Sequence, residues 1–502
     1  MLALLNGSLF DGSGDAPVLG NILIDGDRIL DVGSSSYPQD CETLDCTNLA
    51  IAPGFIDLHS HSDLQVLEDR MEKVKQGVTT EVVGNCGFSP FPQLGDPRTL
   101  HEFGAGILGR ADDWGWATAR EYLEAVGKTC TKLHVAPLIG HGSLRIAVAG
   151  LRQGLLSSTE LDQMSGLLED ALDAGCPGLS TGLMYAPGSS AGMEELELLT
   201  RVVARKGKLY ATHMRSYSTG LVDAVREQLD LARATGCRLQ ISHLQAAGRA
   251  NWGLQKPALE EIEAARTQGI DVEFDIYPYQ CGSTVLTQWL PQWALDGGTE
   301  KLLERLVDTS IRKRLMEEVE QLRAQLWTDI TISAVASEAN ANLVGLNVAQ
   351  IADQRRTDPA ETVLNLLSEE RAAVNVISFN QSEDNLHELI AHPLCSIISD
   401  GFYVKGRAHP RLYGTFPELL GTVVREKAWL ALPEAIHKIT GKPASRLKLR
   451  NRGLLKKDYF ADLTIFDANR VASRSTYHTP NLDPLGIVKV FKDGQSVYDG
   501  TT

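Results

Sequence analysis

The feature that most constrains this chain is an alternation of short apolar runs with helical stretches across its central part. The runs that have the length and composition of strands are 54–58, 80–83, 134–140, 178–181, 209–212, 238–242, 272–276, 374–379 and 395–399. Such an alternation is typical of parallel strands, and it predicts an α/β fold with a TIM-like (β/α)8 barrel. Because that barrel uses eight strands, one of the nine runs must lie outside it, and the sequence does not say which.

Helix signals fill the gaps between these runs. Ser157 and Glu160 have the spacing of a capping box, and an apolar stripe follows them. A second stripe begins at Leu221 and ends at Gly236. The stretch 299–327 is charged and has a helical period, in a place where a simple repeat needs only a short loop. We therefore expect it to be an inserted lid or satellite.

The two ends of the chain resemble each other and differ from the middle. Residues 21–33 and 487–500 each have two short apolar strands around a polar turn, and residues 461–467 supply a further strand. This arrangement predicts one small β-sandwich domain built from both ends. The predicted boundaries are 1–53 and 452–502 for that domain and 54–451 for the catalytic barrel, with a helical insertion at about 283–340.

Composition excludes several classes of partner. Acidic side chains outnumber basic ones 64 to 48, so a long basic surface for nucleic acid is not expected. The eight cysteines show no C-x-x-C pair, which argues against a disulfide scaffold. No apolar run approaches the ~18 residues of a membrane span, and the first residues lack the basic region of a secretory signal. We expect a cytoplasmic protein that acts on a small molecule.

Potential metal ligands close five of the predicted strands. His59 and His61 follow the first run, and residues two apart on a strand point to the same side, so both imidazoles can reach one metal. An H-x-H motif alone is weak evidence. The other candidates, each at the end of a further run, are Cys86, His213, His243 and Asp400. Since these ends converge on one mouth of a parallel barrel, the set predicts a metal site.

The donor types indicate which metal it is. Imidazole together with thiolate and carboxylate favours zinc over magnesium or calcium. A zinc site with room for water lowers the pKa of that water towards ~7 and makes hydroxide available. For Asp400 the residues alone leave several roles open, namely metal ligand, proton shuttle, both of these, or N-cap of the following turn.

Ten segments, by their order and spacing, resemble the N-acyl-D-amino-acid deacylases (D-aminoacylases) of the amidohydrolase superfamily. The segments are APGFIDLHSHSD, EVVGNCGFSP, APLIGHGSLR, GLSTGLMYAPGSSA, ATHMRSY, ISHLQAAGRANWG, DIYPYQCGST, SDG, HPRLYGTFP and ADLTIFD. The resemblance covers nearly the whole chain and implies a metal-dependent hydrolase barrel with a β-sandwich and an inserted segment. It implies hydrolysis of N-acyl-D-amino acids to a carboxylate and a free D-amino acid, with dipeptides that end in a D-residue as a further substrate class.

The resemblance also implies how the ligands are shared. Cys86, His213 and His243 would hold a tight zinc, and His59 and His61 would form a second, weaker position that shares Cys86. Many related hydrolases bridge two metals with a carboxylated lysine on the fourth strand. The corresponding run here, GLST, has no lysine, and Cys86 takes the bridging role in the D-aminoacylase branch.

Further residues receive roles from the resemblance. Asp400 would be the general base that takes a proton from the attacking water and passes it to the leaving amine. Arg411 matches an arginine that binds the substrate α-carboxylate, and Tyr277 matches a tyrosine that assists it, with Tyr279 close enough to compete for that match. Tyr185 would line the pocket. The family usually has lysine where this chain has Gln245, which changes how the carboxylate is held.

Substrate preference and two rival functions complete the expectations. Residues 285–293 contain no cation, whereas members that prefer acidic D-residues have an arginine there, so we predict a hydrophobic D-residue. His141 either borders the site or belongs to the core. A cyclic-amide hydrolase of the dihydropyrimidinase or hydantoinase kind is opposed by the missing lysine and by Arg411. A non-catalytic scaffold of the same fold is opposed by the intact ligand set.

Overall fold

A ring of parallel strands organises the chain, and the computed structural model describes residues 1–33, 37, 38, 40–109 and 114–500. Within these residues the strands are β1 (Leu2–Leu9), β2 (Val18–Asp25), β3 (Arg28–Val32), β4 (Glu42–Asp45), β5 (Ala50–Pro53), β6 (Phe55–Asp57), β7 (Val78–Val83), β8 (His134–Pro137), β9 (Ile139–Gly140), β10 (Gly178–Gly182), β11 (Leu209–His213), β12 (Arg238–Ile241), β13 (Val272–Ile276), β14 (Cys281–Val285), β15 (Ile330–Ala334), β16 (Asn375–Phe379), β17 (Cys395–Ile397), β18 (Leu463–Phe466), β19 (Ile487–Lys492) and β20 (Gln495–Asp499). The α-helices described are α1 (Pro97–Gly104), α2 (Ala119–Thr129), α3 (His141–Ala149), α4 (Ser158–Ala174), α5 (Met193–Arg205), α6 (Leu221–Thr235), α7 (Gln255–Thr267), α8 (Gly298–Val307), α9 (Thr309–Leu322), α10 (Val348–Arg355), α11 (Pro359–Glu369), α12 (Glu383–Ala391), α13 (Arg411–Glu418), α14 (Leu432–Ile439) and α15 (Gly441–Leu447).

The predicted (β/α)8 barrel is confirmed. Strands β6, β7 and β8 pair in parallel, and β9 to β13 continue in parallel to β17. β8 and β9 form one barrel position, because between them only Leu138 interrupts the strand and its N–H donates to Val83 O at 2.9 Å. The ring closes between β6 and β17, where Asp400 N donates to His59 O at 2.8 Å and His61 N donates to Gly401 O at 2.9 Å.

One of the nine predicted strands, at residues 374–379, lies outside the barrel. It is β16, which pairs antiparallel with both β14 and β15. Strands β15 and β16 and helices α8 to α11 share an apolar cluster separate from the barrel core. We therefore propose that the inserted unit spans residues 281–379, which we call the satellite, in place of the span of about 283–340 indicated by charge and period.

Both chain ends form one sheet, as predicted. Its order is β20-β19-β18-β5-β1-β2-β3, with β4 paired to β1. The seam between the two ends is the antiparallel pair of β5 and β18. Between β19 and β20, Asp493 and Gly494 have φ values of 49° and 74°, as a two-residue hairpin turn requires. The exact boundaries of this β-sandwich domain remain predictions.

Local signals set the helix ends. The capping box of Ser157 and Glu160 precedes α4, and Gly175 follows it. Helix α6 ends at Gly236, whose left-handed φ of 72° terminates the helix without a steric penalty. Among the helices that the structure describes, none has the length and apolar character needed to cross a membrane.

Candidate metal centre

A thiol and three imidazoles meet at the mouth of the barrel. Cys86 Sγ lies 3.4 Å from His59 Nε2 and 3.5 Å from His243 Nε2. His213 Nδ1 lies 3.1 Å from His243 Nε2. All four side chains are buried. The structure thus brings together residues that end or follow β6, β7, β11 and β12.

Asp400 faces this group from the other side of the ring. Its Oδ1 lies 3.1 Å from His61 Nε2 and 3.3 Å from His59 Nε2. Its second oxygen, Oδ2, lies 2.9 Å from a guanidinium nitrogen of Arg411. The carboxylate therefore contacts both the imidazoles and the one arginine of the cavity described below.

The backbone at three of these positions is left-handed. The φ values are 53° at Cys86, 35° at His243 and 48° at Asp400. Such values are uncommon for residues other than glycine, and they cluster at functional sites because the surrounding structure must hold them. Asp275 on β13 contributes to this, since its Oδ1 accepts a hydrogen bond from His243 N at 2.7 Å. Asp275 was not predicted, although it is a carboxylate one residue before the C-terminal end of a barrel strand.

A buried ionic network links β6, β7 and the segment that follows β17. Lys73 Nζ lies 2.5 Å from Asp57 Oδ2 and 3.3 Å from Glu81 Oε1. Asp57 also accepts a hydrogen bond from Ser399 N at 2.9 Å. Because a buried charge is costly without a partner, this network ties the end of β6 to the segment that follows β17. His59 and Asp400 are held in register as a result.

Burial and neighbouring charges shift the pKa values of the side chains at this site. Burial and the nearby His243 hold the pKa of His213 well below its usual value, and burial lowers the pKa of His243 to about 4. Burial alone would raise the pKa of Asp400, but the charges of Arg411 and His59 outweigh it and hold that pKa well below the usual value. At neutral pH His213 and His243 are therefore neutral and Asp400 is ionised. Burial would lower the pKa of His59, but the neighbouring Cys86 and Asp400 raise it well above its usual value.

The donor set fits zinc. The ligand atoms of Cys86, His213 and His243 lie within 4.8 Å of one another, and so do those of His59, His61 and Cys86. Zinc binds thiolate sulfur at ~2.3 Å and imidazole nitrogen at ~2.0–2.1 Å, so ligands of one tetrahedral ion are separated by distances of this order. Cys86 belongs to both groups. Strand β10, the fourth barrel position, reads GLSTG and has no lysine to bridge two metals.

The predicted substrate residues line a cavity above these ligands. Arg411, Tyr277, Tyr185 and Gln245 all face it, as do all the predicted ligands except His59, which lies deeper. The Arg411 guanidinium lies 4.6 Å from the centre of the Tyr277 ring, a favourable cation–π contact. Tyr279 packs on His409 instead, with ring centres 5.3 Å apart. Tyr277 therefore lies beside Arg411 in the cavity, whereas Tyr279 does not line the cavity.

Other side chains resolve open points or were missed. His141 does not line the cavity, and its Nε2 lies 2.7 Å from Glu195 Oε1 in the core. Several residues of the satellite and its edge line the cavity, among them Trp289, Gln325 and Asn380. Gln325 and Asn380 were not predicted. Asn380 directly follows β16, but that strand lies outside the barrel, so the convergence of parallel strand ends does not place Asn380 at the site.

Comparison with known proteins places the chain among hydrolases. The model of the amidohydrolase family matches residues 42–498. An N-acyl-D-glutamate deacylase of Alcaligenes xylosoxydans xylosoxydans is 34% identical, over 99% of this chain and 93% of the relative. The solved N-acyl-D-glutamate deacylase of Bordetella bronchiseptica, bound to zinc and a phosphonate mimic of the tetrahedral intermediate, is 32% identical with a TM-score of 0.86, covering 99% of this chain and 96% of its own.

Two further structures bear on the metal content and on the rival function of a cyclic-amide hydrolase. A D-aminoacylase structure that addresses a binuclear centre, with activation by one metal and attenuation by a second, is 31% identical with a TM-score of 0.85, covering 100% of this chain and 97% of its own. Dihydropyrimidinase of Brevibacillus agri is 13% identical with a TM-score of 0.56, over 99% of this chain and 95% of its own. The second likeness shows a shared fold alone.

Proposed function

Because the chain belongs to the amidohydrolase family, and within it to the N-acyl-D-amino-acid deacylases, we propose that it is a zinc-dependent hydrolase of N-acyl-D-amino acids. The products are a carboxylate and a free D-amino acid, and dipeptides with a C-terminal D-residue are a further substrate class. The observation that carries the proposal is the meeting of Cys86, His213 and His243 with Asp400 and Arg411 at one cavity. The choice of D over L rests on the relatives.

The metal ligands divide into two groups in this proposal. Cys86, His213 and His243 hold the tight zinc, while His59 and His61 form a weaker second position that shares Cys86. When bound, zinc supplies Lewis acidity for the amide carbonyl and lowers the pKa of water. The binuclear centre of the related D-aminoacylase supports the division.

Asp400 carries the proton in this proposal. Its low pKa keeps it ionised at neutral pH, so it can accept a proton from the attacking water. It then donates that proton to the nitrogen of the leaving amine as the amide bond breaks. Its contact with His61 at 3.1 Å keeps its oxygen beside the metal ligands, where the water is activated.

The site binds the substrate through its α-carboxylate at the end away from the metal ligands. Arg411 supplies the charge, Gln245 supplies a neutral hydrogen-bond donor, and the Tyr277 ring packs against the guanidinium beside them. Tyr185 lies next to the ligands, with its ring centre 4.8 Å from that of His213, and lines the pocket near the scissile amide. A cyclic amide has no free α-carboxylate for Arg411, which favours a linear substrate over that of a hydantoinase.

The side-chain pocket favours uncharged D-residues. Its apolar lining includes Ile107, Met184, Trp289 and Phe402. Among the described residues that line the cavity, Arg411 is the one cation. D-leucine, D-methionine, D-phenylalanine and D-tryptophan are therefore the expected products, in preference to D-glutamate or D-aspartate.

The cysteines that the structure describes are all unpaired, which supports a cytoplasmic location.

A substrate panel tests the proposal. The zinc-supplemented protein would be assayed for amine release from N-acetyl-D- and N-acetyl-L-forms of leucine, methionine, phenylalanine, tryptophan and glutamate. We expect D-selective hydrolysis of the uncharged members, abolished in Asp400→Ala. Turnover of dihydropyrimidines or hydantoins with none of the N-acetyl series would overturn the proposal in favour of a cyclic-amide hydrolase. Stoichiometric zinc without hydrolysis of any of these substrates would also overturn it.

A further inference from the structure

We propose that Asn380 and Gln325 are positioning residues that orient the amide of Gln245, so that its N–H group donates to the substrate α-carboxylate. This inference rests on the proposed function, because it concerns the carboxylate of the same substrate. A lysine binds a carboxylate by charge from many directions. A neutral glutamine amide has a donor end and an acceptor end, so it helps only if its direction is fixed.

A chain of hydrogen bonds fixes that direction. Gln325 Nε2 and Ser378 Oγ both donate to Asn380 Oδ1, each at 3.0 Å. Because its oxygen is occupied, Asn380 turns its Nδ2 towards Gln245 and donates to Gln245 Oε1 at 3.3 Å. The Tyr277 hydroxyl donates to the same oxygen at 3.4 Å. Gln245 Nε2 is left as the donor that faces the cavity, with no partner among the described residues.

The reverse orientation of Gln245 is disfavoured by the same contacts. It would place the Gln245 amide nitrogen against the donor Nδ2 of Asn380, and two N–H groups cannot hydrogen-bond each other. It would also turn a carbonyl oxygen towards the substrate carboxylate, which accepts hydrogen bonds only. The relay therefore decides whether this position attracts or repels a carboxylate.

Asn380 is itself held by the barrel. Its backbone oxygen accepts hydrogen bonds from Gly248 N and Trp252 Nε1, both at 2.8 Å. Packing leaves little freedom around it, because a Cβ at Gly282 would lie 2.6 Å from Asn380 Nδ2 and 2.9 Å from the Tyr277 hydroxyl oxygen. Asn380, Gln325 and Gln245 are 7%, 8% and 7% exposed. The relay is thus a buried, pre-arranged unit and not a surface contact.

The only cation of the described lining is already engaged, which makes a second oriented donor valuable. Arg411 directs one terminal nitrogen to Asp400 at 2.9 Å and the other to Ser283 O at 3.3 Å. A substrate carboxylate must therefore share this guanidinium with the Asp400 carboxylate. A fixed N–H from Gln245 adds a hydrogen bond to a charged acceptor, the stronger kind of hydrogen bond.

A double-mutant cycle with two substrates tests the relay. Asn380→Ala, Gln245→Ala and the double variant would be assayed on N-acetyl-D-leucine and on its C-terminal carboxamide. For the carboxylate substrate, we expect Asn380→Ala to raise KM roughly 10-fold while kcat stays within about twofold, since a hydrogen bond to a charged group is lost. The carboxamide should show a much smaller rise. In the Gln245→Ala background, removing Asn380 should raise KM no further.

Gln325→Ala provides a second, milder route to the same result, because it frees the Asn380 amide without removing it. It should give a smaller KM rise of the same kind. Asn365→Ala is the matched control in the satellite. The Asn365 side-chain oxygen accepts a hydrogen bond from Arg312 away from the cavity, so the KM of this variant should equal that of the wild type.

Two results would overturn the relay while leaving the proposed function intact. One is an equal KM rise for the carboxylate and the carboxamide, which indicates a packing role. The other is an undiminished effect of Asn380→Ala in the Gln245→Ala background. A wild-type protein that hydrolyses no N-acetyl-D-amino acid would overturn the proposed function and the relay together, and this is seen before any variant is compared.

Discussion

The cavity has a floor and a wall of different origin. The floor consists of the six proposed ligands, namely His59, His61, Cys86, His213, His243 and Asp400, which end or follow strands of the parallel barrel. The wall is formed by cavity-lining residues of the satellite together with Asn380. Floor residues are held by the closed ring. Wall residues belong to the satellite, which has a separate antiparallel sheet and its own apolar cluster, and Asn380 at its edge is also hydrogen-bonded to the barrel. Chemistry and substrate preference can therefore change independently.

The largest expected effect comes from removing the proton carrier of the floor, which tests whether the floor alone carries the chemistry. Asp400→Asn should lower kcat by about 10²–10⁴-fold, because an amide cannot accept the proton of the attacking water. Zinc content should stay near that of the wild type, since the cysteine and histidine ligands remain. Rate assays combined with metal analysis of the purified variant check both parts. Asp296→Asn on the satellite surface is the control, and loss of zinc in parallel with kcat would contradict the proton-carrier role.

Removing the shared ligand should affect metal binding before anything else. Cys86→Ser should weaken zinc affinity by at least about 10–100-fold, the loss usually seen when even a supporting group of a metal site is removed. Competition with a chelator measures this change, and excess zinc should restore part of the activity. Cys176→Ser, at a buried thiol outside the metal cluster, is the control. Unchanged zinc affinity in Cys86→Ser would exclude Cys86 as a ligand.

A change confined to the wall should alter substrate binding and leave the floor intact. In Gly282→Ala the added methyl group would press on the Asn380 amide and the Tyr277 hydroxyl. We expect KM for an N-acetyl-D-amino acid to rise about tenfold, as overpacking by a methyl group commonly costs 1–3 kcal/mol. Zinc content and kcat should change little. Gly253→Ala, where a Cβ meets nothing within 4 Å, is the control, and a large fall in kcat would show that floor and wall are coupled.

The smallest expected effect on catalysis comes from a charge inside the satellite. Glu370 accepts hydrogen bonds from Ala336 N and Ser337 N, both at 2.7 Å, and from Asn340 Nδ2 at 2.6 Å. Burial would raise the Glu370 pKa, but these bonds and that of the Ser337 hydroxyl lower it below its ordinary value of 4.5. Glu370→Gln should therefore destabilise the fold at pH 7 by about 1–3 kcal/mol, with kcat unchanged.

The pH dependence of that variant has a definite sign. A carboxyl with a depressed pKa stabilises the fold fully above its unfolded pKa, and it loses this contribution as the pH falls through the folded value. The difference in unfolding free energy between the wild type and Glu370→Gln should shrink below pH 4.5. Denaturant unfolding at pH 7 and at pH 3–4 checks this. A difference that grows towards acid pH would contradict the assignment.

The floor could be predicted from sequence because one rule locates it. Each candidate ligand lies within three residues of the end of an apolar run, and the ends of parallel strands meet by necessity in a barrel. The charged insertion was also visible, from the helical period of residues 299–327. What the sequence could not reveal was the pairing of β14 with β16, which joins residues 281–285 to residues 375–379. An apolar run has the same composition whether its partner is parallel or antiparallel.

The wall was missed for that reason. Asn380 has a role only because β16 crosses back to β14, and Gln325 reaches it from the segment that follows α9. Gln245 was identified as a departure from the family pattern, but the sequence did not indicate the groups that orient its amide. Hydrogen-bond direction depends on the three-dimensional positions of several side chains, and no local pattern encodes it.

The closure of the ring has a consequence for biosynthesis. Backbone hydrogen bonds of His59, His61, Asp400 and Gly401 join the first barrel strand to the last. The two halves of the catalytic apparatus are therefore separated by most of the chain, and they meet only after β17 has emerged from the ribosome and docked. A nascent chain that ends before residue 400 lacks the closing hydrogen bonds of the ring and the Asp400 side chain of the site. Hydrolytic activity is in this sense a report that the chain has been made through the last barrel strand and that the ring has closed.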